Sequence, residues 1–153
     1  MAKVKTIEMP QERLELAKRY LENAREELKK AGIIKETNTY RDYKYVSSAS
    51  GLAFRGVLEA LKALFLSRGI FKDNAEMNRK LKKHEIYFRV LKGIGGLGKD
   101  RDNLMYLLED VYDILHIGGY YKELRDKKSI DSGFEKAQRI LSIVEKHINS
   151  QKH

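Results

Sequence analysis

Residues 43–69 read YKYVSSASGLAFRGVLEALKALFLSRG, and this stretch decides the fold. Placed at helical steps of about 100°, its residues sort into faces that differ in kind. Ala49, Ala53, Gly56, Ala60 and Ala63 form a ridge of small side chains. Beside it stand Phe54, Val57, Leu58, Leu61, Leu64 and Phe65, and Ser48, Arg55, Glu59 and Lys62 make one polar stripe. A helix apolar over most of its circumference is buried, and a small-residue ridge admits a neighbour at the short end of the usual helix spacing of about 8–10 Å. The reading is a central helix over about 41–68, ended by Ser67, Arg68 and Gly69.

The flanking sequence supplies its partners. Pro10 fits a first helical turn, and Leu14, Ala17, Tyr20 or Leu21, Ala24, Leu28 and Ala31 recur at three- and four-residue steps before Gly32. Glu12 and Glu15 near the start and Lys29 and Lys30 near the end complement the helix dipole. KETNTYRDYKY then reads as a polar connection whose Tyr40, Tyr43 and Tyr45 pack at the lip of a bundle. A third segment starts at Asp73 or Asn74 and runs to Lys92, with EIYFRVL open to either helix or a short strand. A fourth helix is expected from an Asp100 cap to about Ile117, with Leu104, Leu107, Leu108, Val111, Ile114 and Leu115 on one face and Gly118 and Gly119 as its stop. After YYKELRDKKS, Phe134, Ala137, Leu141, Val144 and Ile148 mark a last helix capped by Ser129, Asp131 or Ser132. The expectation is an all-α, up-and-down bundle of about five helices. It forms a single domain over residues 1–153, ordered over about 10–149 with short flexible termini and a frayed SQKH.

Composition narrows the function classes. With no cysteine in 153 residues, disulfides, zinc-finger sites and thiol nucleophiles are excluded, which suits a reducing cytoplasm. No apolar run approaches the roughly 18 residues of a membrane span, and MAKVKTIEMP lacks an apolar signal core, so no membrane partner is expected. The net charge of +9 permits acidic partners without naming one. Residues 78–92, NRKLKKHEIYFRVLK, set Arg79, Lys80, Lys82, Lys83, Arg89 and Lys92 against the single Glu85. They are either a solvated helix face or a surface for nucleic-acid phosphates.

Two motifs weaken on inspection. GIGGLGKD, residues 93–100, has the GxxxxGK spacing of a phosphate-binding loop, but Asp100 stands where a hydroxyl should hold magnesium, and no strand-and-helix repeat surrounds it. Asp100 reads instead as a helix N-cap with Asp102 in the first turn, the glycines as a flexible link, and Lys99 as a side chain that binds nothing in particular. Glu109, Asp113 and His116 share a face, and Asp113 to His116 has the spacing of half a di-iron site, but no matching second half exists. No metal and no cofactor are therefore expected. By angle the triplet points to solvent, with Met105 and Tyr112 nearby on a face that a second subunit could cover.

AKRYLENAREEL, the buried helix quoted above, and GGYYKEL before the closing helix together resemble the HEPN family of small helical-bundle proteins over roughly residues 11–148. The resemblance implies a bundle that is commonly a homodimer. It also implies either a metal-independent ribonuclease or toxin, often working with a nucleotidyltransferase, or a non-catalytic binding or accessory module. Catalytic members carry an Arg followed four to six residues later by His, frequently with Asn directly after the Arg. His116, before GGYY, is nearest that place, yet Glu109, Asp110 and Val111 occupy the arginine positions, and acids cannot stabilise charge developing on a phosphate. The literal match is Arg79 to His84 in RKLKKH, with Lys80 in place of the Asn. The expectation is a non-catalytic binding or accessory homodimer, with a ribonuclease using Arg79 and His84, or a nucleic-acid binder using residues 78–92, as alternatives.

Overall fold

A computed structural model describes residues 9–150; the expected flexible ends, 1–8 and 151–153, lie outside the described residues. The fold is all-α, as the patterning requires: among the described residues there are six α-helices, one π-helical segment and a two-stranded hairpin of two residues per strand.

Helix α1, Pro10–Lys29, has its proline in the first turn and buries Leu14, Ala17, Leu21 and Ala24. Its main partner is α2, Tyr43–Ser67, which also touches the last helix and the π-helical segment. Asp42 starts α2 by accepting a bond from Lys44 N, so the helix begins two residues later than the periodicity suggested. The small-residue ridge is fully buried. At Gly56 a Cβ would lie 3.0 Å from the Ala17 carbonyl oxygen, so glycine here sets how closely α1 crosses. Burying each Leu or Phe beside the ridge contributes about 1.5–3 kcal/mol, which makes this pair the stable centre of the bundle. Glu59, assigned to the wet stripe, is instead buried, because Arg13 of α1 reaches it.

The polar connection 33–42 hides a hairpin, β1 Ile33–Ile34 against β2 Thr39–Tyr40, which pairs Ile33 with Tyr40. Asn38 turns it with φ +52°, a left-handed conformation that Asn tolerates. Tyr40 N donates to Arg125 O and Lys127 N to Asn38 O, tying the hairpin to the start of the last helix.

The third segment is two helices and not one: α3, Asn74–Lys80, and α4, His84–Gly93. Asp73 caps α3 by accepting from Glu76 N, and the break falls at Leu81–Lys83, where Leu81 turns its side chain into the core. EIYFRVL is helical, since Tyr87 and Leu91, four apart, are the positions it buries. GIGGLGKD follows a helix, so the strand a phosphate loop needs is absent at this place. The link is pinned by buried Ile94 and Leu97, while Gly96 and Gly98 take positive φ.

Helix α5, Lys99–Val111, is preceded by Gly98 at the cap position, which corrects the Asp100 assignment. The Asp100 carboxylate is drawn away from its own backbone by Lys146 Nζ at 2.7 Å and His147 Nε2 at 2.8 Å, and these partners lower its pKa. Arg68 has only donors and lies 3.2 Å from His147 Nδ1, so Nδ1 accepts and Nε2–H donates to Asp100. The three residues clasp the ends of α2, α5 and the last helix.

Gly118 and Gly119 do not stop the fourth helix. The chain continues as a π-helix, Tyr112–Tyr121, that contains both glycines. Helix α6, Lys127–Asn149, is capped by Asp126, which accepts from Ser129 N, and not by Ser129, Asp131 or Ser132.

Candidate functional site

A π-helix widens each turn by one residue relative to an α-helix, is rare, and is frequently found at functional sites. Here it sets Tyr112, His116 and Tyr120 into one row of rings. His84, at the start of α4, stacks on Tyr112 at 3.8 Å and 16°. Tyr112 lies 5.2 Å from His116, and His116 is near-parallel to Tyr120 at 6.0 Å and 8°. Phe54 of α2 stacks against His116 from beneath at 4.8 Å, and Tyr121 meets the same imidazole edge-on at 5.2 Å. Tyr43 O–H donates to Tyr120 O at 2.9 Å and fixes the far end.

The row opens into a groove of about 600 Å³ between α1, α2 and the π-helix. Its lining includes Tyr20, Arg55, His116, Tyr120 and Tyr121. Arg55 is exposed, with its guanidinium 5.3 Å above the Tyr20 ring, so a cation stands over an aromatic floor. Tyr120 and Tyr121 are 45% and 63% exposed, an unusual outlay of aromatic surface facing water.

His84 and His116, separated by 32 positions in the sequence, both lie against the Tyr112 ring. Burial lowers the pKa of His116, with the neighbouring His84 a lesser cause, so the ring stacks as a neutral aromatic at neutral pH. His116 was expected to face solvent beside Glu109 and Asp113. Those two are exposed, while the imidazole turns inward onto Phe54, because the π-helix rotates it out of an α-helical register. Among the described residues no three His, Asp or Glu side chains are grouped to hold a metal.

The cations of residues 78–92 are all exposed. Lys80 pairs with Glu76 at 3.2 Å, whereas Lys82, Lys83, Arg89 and Lys92 form no ion pair among the described residues. Lys82 and Lys83 immediately precede His84, so they stand at the head of the ring row. Arg79 closes α3 on the other side of the Leu81–Lys83 break, beside Glu76. Sequence reading missed Tyr20, Phe54, Arg55, Tyr120 and Tyr121 as site residues. GGYY and the exposed Arg55 in the polar stripe were the available signals.

The lowered pKa of His116 has a consequence for stability. Above the unfolded-state value of about 6.5 the imidazole is neutral in both states, and its burial is fully tolerated. As pH falls through and below that value the unfolded chain takes up the proton first, so stability is lost. Urea midpoints should therefore fall between about pH 7 and pH 5, and His116→Phe should flatten that slope. An unchanged slope in the variant would assign the pH dependence elsewhere.

The fold and groove together define an all-α bundle protein with an exposed aromatic and cationic face. More specifically, the chain belongs to the family described as "Domain of unknown function (DUF5618)", whose match spans residues 12–146. It is similar to a solved protein of unknown function from Dyadobacter fermentans, with 30% sequence identity over 90% of this chain and 97% of that chain, and a TM-score of 0.69. No curated protein matches the chain.

Proposed function

We propose that this protein is a cytoplasmic, non-catalytic binding module whose π-helix face takes single-stranded nucleic acid. The observation that carries the reading is the continuity of the strip: Lys82 and Lys83, then the rings of His84, Tyr112, His116 and Tyr120, then Arg55. Single-strand binders combine a cationic track for phosphates with ring platforms for bases, each stacked base contributing about 1–3 kcal/mol. The +9 net charge favours the encounter. The HEPN-like part of this reading rests on the sequence patterns of the first, second and last helices. From that resemblance comes the further proposal of a homodimer that works beside a nucleotidyltransferase or within a toxin–antitoxin pair. Tyr106, 70% exposed on α5, gives a second copy an aromatic contact away from the groove.

The test is fluorescence anisotropy with a labelled oligouridine of about twelve nucleotides, within the usual single-strand site size. Affinity should fall steeply between about 50 and 200 mM salt, and Tyr121→Ala and Arg55→Ala should each weaken binding by about five- to a hundred-fold. Salt-insensitive binding, or variants that bind as the parent does, would sink the proposal. A second reading, from the Arg79 to His84 match in RKLKKH, is a metal-independent ribonuclease using those two residues. In that case the same RNA is shortened in the presence of a chelator, and His84→Ala abolishes the shortening.

A further inference from the structure

A second cleft lies on the other side of α1, between its last turns, the hairpin and the first turns of α6. It encloses about 550 Å³, within the range of about 300–1,000 Å³ for small-molecule sites. Leu28, Ile33 and Phe134 give it an apolar floor. Ile33 is 42% exposed although it pairs in the hairpin, so apolar surface is left open here.

The charges around that floor divide into satisfied and unsatisfied ones. Asp131 accepts from the Tyr40 hydroxyl and pairs with Lys127 Nζ at 2.5 Å, which neutralises the end wall. Lys29 is matched by Glu26 at 3.1 Å. Arg25, on α1, forms no ion pair among the described residues and has a single long bond, 3.5 Å, to Gln138. Glu135, on α6, forms no ion pair among the described residues. An apolar floor is thus flanked by one uncommitted cation and one uncommitted anion, carried on different helices.

We infer that this cleft binds a small apolar zwitterion of the free amino acid or dipeptide class. Arg25 takes the carboxylate through its planar fork, Glu135 takes the ammonium, and the side chains rest on Leu28, Ile33 and Phe134. A simple amphipathic anion would leave Glu135 facing like charge, and a simple amine would do the same to Arg25. The cleft and the nucleic-acid groove lie on different faces, so the two proposals stand or fall separately.

The protein contains no tryptophan, which makes a tryptophan dipeptide its own probe. Leu-Trp, excited away from the tyrosines, should brighten and shift to the blue on titration with the protein. N-acetyl-Leu-Trp and Leu-Trp amide, each lacking one charge, should bind about ten- to a hundred-fold more weakly, the range for a hydrogen-bonded charge. Glu135→Gln should remove the preference for the free over the acetylated peptide, and Arg25→Ala the preference for the acid over the amide. Both residues are exposed, and the comparison of the three peptides on the parent protein needs neither variant. Equal affinity for the blocked peptides, or no fluorescence change with any of the three, overturns the inference.

Discussion

Arg13→Ala is expected to destabilise the protein by about 3–5 kcal/mol, measured by urea denaturation near neutral pH. Arg13 Nη1 lies 2.6 Å from Glu59 Oε2, and Nη2 donates to Asn74 Oδ1 at 2.8 Å. The two charged side chains are only 8% and 5% exposed, so water cannot replace a lost partner. Truncating the arginine leaves a carboxylate under α1 with Lys62, 3.5 Å from its other oxygen, as the remaining cation. Burial already lowers the pKa of Lys62, so that lysine holds its own charge at some expense and only softens the loss. Glu59→Ala should be similarly damaging, because it strands the guanidinium. The double variant Arg13→Leu with Glu59→Leu should recover most of the loss, since desolvating a buried pair offsets much of its attraction. Arg13 Nε, buried without a partner, shows that the pair is not fully satisfied even as it stands. A loss below about 1 kcal/mol in Arg13→Ala would mean that the pair is solvated in practice, as exposed pairs are. The pair also joins α1, α2 and the start of α3, so its loss should loosen α3 first.

What could be read from the sequence follows from which residues carry periodic signal. The Ala49 to Ala63 ridge and the Leu14 to Ala24 stripe are long enough for the 3.6-residue period to be unambiguous, and both are buried as the pattern demands. The hairpin escaped because two residues per strand present no alternation to detect. The break at Leu81–Lys83 escaped because Met77, Leu81 and Leu91 keep an apolar rhythm across it while the backbone bends. Asp100 and Asp126 show the limit of local rules: each is an acid at a helix start, yet only Asp126 bonds its own helix backbone, because Lys146 and His147 claim Asp100. The π-helix was the most consequential omission. Ordinary α-helical angles place His116 beside Asp113 in solvent, and one extra residue per turn carries it onto Phe54. His84 and His116 were both singled out, but their convergence depends on that register and on the helix break, neither of which has a sequence signature.

Gly119→Ala should be the most damaging glycine-to-alanine change in the protein. An ideal Cβ at this position would fall 2.2 Å from Ser50 Oγ and 2.7 Å from Ser50 Cβ, both far inside contact distance. Rotating the Ser50 hydroxyl about χ1 does not relieve the 2.7 Å contact with Ser50 Cβ, which moves only with the backbone of α2. The π-helix must therefore lift from α2, with an overpacking cost of about 1–3 kcal/mol or more. Ser50 supplies the control. Its hydroxyl is buried with no hydrogen-bond partner, so removing it sacrifices no bond. Alone, Ser50→Gly should lower stability through added backbone freedom, glycine being about 0.5–1 kcal/mol less favourable in a helix than ordinary residues. In the Gly119→Ala background the same change opens the space the methyl needs and should raise stability. A reversal of sign between the two backgrounds, read from thermal unfolding, identifies steric contact between α2 and the π-helix as the cause; additive losses would reject it. Tyr120 and Tyr121 follow Gly119 directly, so lifting this segment also separates the Tyr120 ring from His116. Oligonucleotide affinity should then fall in Gly119→Ala and return in the double variant, linking one glycine's missing side chain to the shape of the groove.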